Sequence, residues 1–494
     1  MAAQDFPSEL FVPFLQDNND IPRYMALFRA FQQSILNGDL VAGAKLPASR
    51  TLSANLGVSR NTVKTAYEIL LSEGYIETRH GSGSYVSSHL PEQKPDAQEQ
   101  LDPSSRSPAT LKLSELAIRL TQQSETPPAQ DKNLLLTTRP DTVHYPWKQW
   151  QQCVLAANRK LKHSDQDAIS GNHELRTQIA QYLQVVRGVK CTVDQVMICS
   201  GSQQAMYLTL RMLVNSGEPV LVENPGYKGT DGALLSVGAQ KVPVNVDQHG
   251  FRLQNGLDAA PDARLVLLTP SRNFPMGYTL SLERRLELIA WAKQTGSWLI
   301  EDDYDSEFRF DGSPLTALQG LGGESCVIYT GTFSRIIHHS LRIGYLVLPE
   351  ALVEPFAQAK RYLDGGLSQL PQAALAEFMA SGHFASHVRR MRKLYQQRRV
   401  LLQQLIAQHL ADILTPLGSD DSMHSVFLLP AGYDDQLICA AAQQQGVGIR
   451  PLSQYYDGTV GENGLVIGFA GYDQVEMLRG IEILTITLLK QPEH

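Results

Sequence analysis

Two rhythms of apolar residues divide this chain. Near its start, residues 22–36 (PRYMALFRAFQQSIL) carry apolar side chains at helical spacing, and Asn37-Gly38 marks the stop. The following LPASRTLSANLGVSRNTVKTAYEILLSEGY predicts two short helices on either side of Leu56-Gly57-Val58, with Ser49 and Ser59 as their N-caps. Ala66, Tyr67, Leu70 and Leu71 suit the inner face of the second helix, while Arg60, Asn61 and Lys64 take its N-terminal, solvent-facing side. Residues 75–78 (YIET) and 84–86 (SYV) then flank Arg79-His80-Gly81-Ser82-Gly83, the pattern of a hairpin with a basic, glycine-rich tip. From 87 to about 133 the chain turns polar and proline-bearing, a composition that buries too little apolar surface to fold alone, although 111–120 has the pattern of a short helix. From Leu134 on, VMICS, PVLVE, RLVLLTP, SWLIEDDY, CVIYTGTFS and RIGYLVLP are strand-like runs separated by amphipathic helices. That order implies a mainly parallel sheet with helices on both faces. The pattern therefore predicts a winged helix-turn-helix over 15–86, a flexible linker over 87–133 and an α/β domain over 134–490.

Composition agrees with several domains in one soluble chain: 494 residues, 43% hydrophobic and 19% charged. No apolar run approaches the length of a membrane span, and MAAQDFPSEL lacks the basic patch and apolar core of a signal peptide. Five cysteines are scattered without CxxC spacing, which points to a reducing cytoplasm and away from a disulfide framework or zinc site. His338 and His339 are adjacent, so their side chains diverge on any regular element, and no metal site is expected. The net charge of −7 argues against nucleic acid until its distribution is considered: residues 21–86 hold seven Arg/Lys against four acids. A small basic module on an acidic body is the arrangement of a DNA reader with a separate sensing part. Its expected DNA contacts are Arg50, Ser59, Arg60, Asn61, Thr62 and Lys64 from the helices, with Arg79, His80 and Gly83 from the hairpin tip, which is small enough to approach a minor groove.

In the large module the chemistry-bearing residues follow strands, where open α/β sheets place their ligands. Ser200-Gly201-Ser202-Gln203-Gln204-Ala205 leaves a strand and opens a helix, whose free N–H groups and dipole make a phosphate seat. Asn224-Pro225-Gly226-Tyr227 is a turn that presents Tyr227 as a lid or stacking ring. Asn273 lies in SRNFPMG, Asp302 and Tyr304 in EDDYDSEFR, and Thr332, Ser334, Arg335 and Arg342 in TGTFSRIIHHSLRIGY.

Taken in order, LPASR, GVSRNTV, AYEILLSEGYI and RHGSGSYV resemble the GntR superfamily of winged-helix repressors. The later strings resemble the pyridoxal-phosphate-dependent fold-type I aminotransferases, with a smaller C-terminal α+β subdomain. The two together resemble the MocR/GabR-type transcriptional regulators over essentially the whole chain. The resemblance implies that Asp302 pairs with the pyridine nitrogen of the cofactor, that Tyr304 bonds its ring hydroxyl, and that Thr332, Ser334 and Arg342 hold its phosphate. It also implies a homodimer whose large domain senses a small-molecule effector and whose winged helix binds a double-stranded DNA operator.

Two departures stand out. The family's Schiff-base lysine is replaced by Arg335, and an arginine stays protonated and lacks a comparable free lone pair. Val466, in LVIGFAG, occupies a place where amino-acid aminotransferases often carry an arginine for the substrate carboxylate; Arg450, in GIRPLSQYY, is open to two readings, a substitute anion contact or a surface residue. The expected function is a transcriptional regulator that binds an effector without transamination. Pyridoxal phosphate would then be held non-covalently, or another anionic effector would take its place. A pyridoxal-phosphate enzyme with an accessory DNA module needs a lysine at 335.

Overall fold

The computed structural model describes residues 11, 21–79, 82–88, 90, 112–122, 133–137, 139–161, 169–310, 312, 315–418, 422–458 and 461–490. His80, expected at the hairpin tip, lies outside them, as do residue 15 and much of the expected linker. The chain divides into two compact units between Lys112 and Leu113.

In the small unit, helices Arg23–Leu36, Ser49–Leu56 and Arg60–Ser72 precede β1 (Ile76–Arg79) and β2 (Gly83–Val86). Leu27, Phe31 and Ile35 from the first helix meet Leu52, Val63, Ala66 and Leu70 from the other two, and Tyr75, Ile76 and Val86 close the core. The third helix contributes at spacings of three and four, the stripe expected of a helix packed on one side. Leu71, expected inside, is 42% exposed, because it lies one residue past that stripe. Gly57 ends the second helix in the left-handed region at φ 63°. Ser59 caps the third helix, its hydroxyl accepting from the Thr62 amide at 3.1 Å. Ser49 is not a cap: Ala48 holds the extended N-cap position and Ser49 begins the helix. The hairpin pairs Ile76 with Val86 and Arg79 with Gly83.

The large unit holds β3 (Val196–Cys199), β4 (Pro219–Asn224), β5 (Gln240–Asp247), β6 (Gly250–Phe251), β7 (Leu265–Leu268), β8 (Trp298–Asp303), β9 (Val327–Thr332) and β10 (Gly344–Val347). They form one sheet in the order β3-β10-β9-β8-β7-β4-β5-β6. The run β9-β8-β7-β4-β5 is parallel, and β10 lies antiparallel between β3 and β9. Strands β3, β4, β7, β8 and β9 consequently all end at one edge, where the predicted motifs sit. A second, antiparallel sheet follows in the order β11-β12-β14-β13, from β11 (Thr415–Leu417), β12 (His424–Leu428), β13 (Arg450–Pro451) and β14 (Gly464–Gly468). Helix Glu115–Gln122, inside the segment expected to be a linker, brings Leu120 to Gly232 on helix Asp231–Val237.

One glycine fixes the spacing at the working edge. Gly344 on β10 faces Gly201, and a Cβ there would lie 2.7 Å from the Gly201 carbonyl carbon and 2.9 Å from its Cα. Backbone cannot yield as a flexible side chain does, so Gly344→Ala should destabilise the large unit by about 1–3 kcal/mol, read as a lowered urea midpoint of the full chain.

Candidate functional site

The edge gathers the predicted residues from five strand ends. Asp302 is the next-to-last residue of β8 and Tyr304 follows the strand; Thr332 ends β9, with Ser334 and Arg335 next; Asn273 follows β7, Tyr227 follows β4, and Ser202 and Gln203 open helix Gly201–Leu213 after β3. Asn273, Asp302, Tyr304, Thr332 and Ser334 are buried, whereas Gln203 and Arg342 are exposed. Gln203 Nε2 donates to the Tyr227 hydroxyl at 3.3 Å, which joins the helix start to the lid turn.

Arg335 lies among rings rather than acids. Its Cζ is 4.8 Å from the Tyr304 ring centroid and 5.7 Å from that of Phe274. The two rings meet edge to face at 5.8 Å, and Tyr227 and Tyr455 pack edge-on against Phe274. Guanidinium–ring contacts of this kind hold a cation without neutralising it.

Around this cation, buried polar atoms stand without hydrogen-bond partners: Asn273 Oδ1, Asp302 Oδ1, the Tyr304 hydroxyl, Ser334 Oγ and Arg335 Nη1. Each is costly to leave unmade, and a cluster of them at one strand edge marks a place shaped for a polar ligand. Burial, with Asp303 adding to it, pushes the Asp302 carboxyl up to about 7, and Arg335 works against the shift. Glu223 beneath the edge is likewise raised to about 7 by burial, although its carboxylate accepts from the Thr269 amide at 3.0 Å and hydroxyl at 2.6 Å.

Arg342 adopts φ 49°, unusual for a side-chain-bearing residue, and places its guanidinium beside the helix start. A weak strut holds it there, a donation from Nη2 to the Ser200 carbonyl at 3.4 Å. A cation and a helix N-terminus together form an anion seat. Thr332 Oγ1 accepts from the Ser334 amide at 3.2 Å, which orients the turn next to it.

A cavity of about 560 Å³ adjoins Arg335 and is also lined by Arg139, Lys228, His338, Arg450 and Tyr455. Arg139, His338 and His339 were not expected in a site. His338 is packed by the rings of Tyr145 and Trp147 at 5.9 and 5.6 Å, and no local motif signals that packing. Among the described residues no group of His, Cys, Asp or Glu could hold a metal ion, and no helix is long and apolar enough to cross a membrane.

The small unit has its own surface. Arg50, Ser59, Arg60, Asn61, Lys64, Arg79 and Gly83 are exposed, and Thr62 is half-buried with its hydroxyl 2.8 Å from Ser59 Oγ. Lys64 pairs loosely with Glu68 at 3.7 Å. Arg79 is engaged within the hairpin: it bonds the Glu77 carboxylate at 2.7 Å and stacks 4.6 Å over the Tyr85 ring. Between the third helix and the hairpin runs a cleft of about 500 Å³ lined by Lys45, Lys64, Tyr67, Thr78 and Ser84 among others.

Residues 23–86 match the family of bacterial regulatory proteins, gntR family, and residues 147–484 match Aminotransferase class I and II. The chain is 37% identical over 478 residues to the probable rhizopine catabolism regulatory protein MocR of Rhizobium meliloti, covering 96% of this chain and 95% of that one. It is 31% identical to the HTH-type pyridoxine biosynthesis transcriptional regulator PdxR of Corynebacterium glutamicum, over 91% of this chain and 92% of the relative. Among solved structures, LysN, the alpha-aminoadipate aminotransferase of Thermus thermophilus complexed with a phosphopyridoxyl-leucine, superimposes with a TM-score of 0.67 at 25% identity, covering 76% of this chain and 98% of that one.

The Asp302 carboxyl yields a pH prediction. Raised from the ordinary range near 4 to about 7, it binds more protons folded than unfolded across that window, so its contribution to stability is present at low pH and lost as pH rises to about 7. Asp302→Asn should flatten that loss by on the order of 1–3 kcal/mol, measured as the difference between variant and wild-type urea unfolding from pH 5 to pH 8 without ligand.

Proposed function

Because this chain belongs to the MocR-type GntR regulators and is a DNA-binding transcriptional regulator with an aminotransferase-like domain, we propose that the large domain senses a small-molecule effector without transaminase chemistry. The observation that carries this reading is Arg335, stacked on Tyr304 and ringed by unpartnered polar atoms. A permanently protonated guanidinium neither forms a covalent link to an aldehyde nor shuttles a proton near neutral pH. Lys228 is no substitute, since its ammonium is paired with Asp457 at 2.6 Å.

The residues fit pyridoxal phosphate held without a covalent bond. The helix start at Gly201–Ser202 with Arg342 would take its phosphate, Asp302 its ring nitrogen, and Tyr304 and Asn273 its ring hydroxyl. When bound, the cofactor supplies an electron-withdrawing ring for amine chemistry. In this chain Asp302 would hold that ring in its charged form, and Tyr227 would cover it from solvent.

Arg335→Lys separates the alternatives. The variant should turn yellow with added pyridoxal phosphate and, after borohydride, carry the cofactor's mass at position 335. The wild type should release the cofactor on dialysis. Borohydride-fixed cofactor on some other lysine of the wild type would restore the enzyme reading.

In the small unit, the winged helix reads an operator in cytoplasmic DNA. A single module covers one half-site, so the functional species is a homodimer with two half-sites in its footprint. Arg60→Ala should lower affinity and sequence discrimination together, on the order of 1–3 kcal/mol for a base contact. Arg79→Ala should weaken all duplexes alike and flatten the salt dependence. Gel retardation against the chain's own promoter region at several salt concentrations reads both. Absence of specific retardation at low salt, or a DNA-bound monomer by light scattering, would contradict the scheme.

A further inference from the structure

The cavity beside Arg335 has a charge composition that points to a ligand class. Its cationic lining includes Arg139, Lys228, Arg335 and Arg450, and among the described residues no aspartate or glutamate lines it. Lys228 is already neutralised by Asp457, and Arg139 stacks on the Tyr472 ring. Arg335 and Arg450 differ from these: neither makes an ion pair with a described residue, and Arg335 Nη1 is buried without a hydrogen-bond partner. Like charges collected around one cavity repel each other until an anion enters, so the lining selects for negative charge.

Register explains how Arg450 reaches this space. It sits directly opposite Val466 on the neighbouring antiparallel strand, and cross-strand partners present their side chains on one face. Val466 packs with Phe274, Tyr304 and Tyr455, so that face of the small sheet is turned toward the Arg335 stack. Two guanidiniums therefore approach one cavity from different sheets: Arg335 from the loop after β9 and Arg450 from β13. Guanidinium forks match planar carboxylates, and two of them on separate elements suit two carboxylates on one molecule. An ammonium group would find four cationic side chains and, among the described residues, no carboxylate in the lining to pair with.

We infer that the effector of this cavity is a small aliphatic dicarboxylate without an amine, one carboxylate taken by Arg335 and the other by Arg450. This rests on the proposed non-covalent sensing by the large domain and names its ligand class.

The test is isothermal titration calorimetry on the full-length protein with succinate, glutarate and adipate, against butyrate, valerate and hexanoate as monocarboxylates and glutamate as an amine-bearing counterpart of glutarate. At least one dicarboxylate should bind about tenfold or more tighter than the monocarboxylate of matching length. Arg450→Gln should remove that advantage while leaving monocarboxylate binding within about threefold, because Arg335 remains. Its unchanged urea midpoint would show that the fold is intact, and Arg450→Lys should recover part of the advantage. Equal binding of dicarboxylates and monocarboxylates, an advantage that survives in Arg450→Gln, or glutamate binding as tightly as glutarate would each overturn the inference. Parallel titration with pyridoxal phosphate, followed by operator retardation, keeps the two levels apart. If the cofactor binds and alters retardation while dicarboxylates do nothing, the ligand class is wrong and sensing stands; if neither ligand binds nor alters retardation, both fail.

Discussion

Negative charge buried at the end of β8 governs how this domain is put together. Glu301, Asp302, Asp303 and Asp305 are all withdrawn from solvent within five residues of chain. Carboxylates in such surroundings persist only with close counter-charges. Arg187 meets Asp303 at 2.9 Å and Arg272 meets Asp305 at 2.9 Å, while Arg285 acts on Glu301. Asp302 has no ion-pair partner among the described residues, and Arg335 is the cation that lowers its carboxyl's tendency to protonate. Position 335 thus has an electrostatic duty that is separate from covalent chemistry. An arginine keeps that duty and gives up the nucleophile.

The same charge explains the company Arg335 keeps. A lysine ammonium is compact and strongly hydrated, whereas a guanidinium is flat and weakly hydrated, and lies readily on rings. Tyr304 and Phe274 supply those rings, and both are held by the small sheet through Val426, Leu452 and Val466. The valine at 466 therefore packs against the support of the arginine at 335. Positions 335 and 466 are thus linked through the same two rings.

Much of this could be read from residues in local strings, because helix periodicity, caps and strand runs are local signals. The helix-turn-helix, the hairpin, the six strand runs and the gathering of Asp302, Tyr304, Thr332, Ser334 and Arg335 at strand ends all follow from such strings. β5 escaped notice since KVPVNV alternates with a proline and polar residues, as suits a strand exposed along one face. Leu71 was misplaced because one residue of helix turns a side chain by about 100°. Arg450 and His338 were undecidable for a different reason: register between β13 and β14 and aromatic packing from residues 145–150 depend on contacts made across the fold. Ser49 shows the limit of capping rules, which name a residue type within one position of the true helix start.

The proposed non-covalent site also fixes what the domain can report. A covalently tethered cofactor is part of the protein, and its presence says little about the surrounding solution. A site without such a tether fills and empties by mass action, so its fractional occupancy follows the free concentration of whatever it binds. Its useful range is then centred on the dissociation constant and shifts if the binding-competent state is only partly populated. On the proposed reading, a resonance-stabilised cation at position 335 makes the site a gauge rather than a carrier.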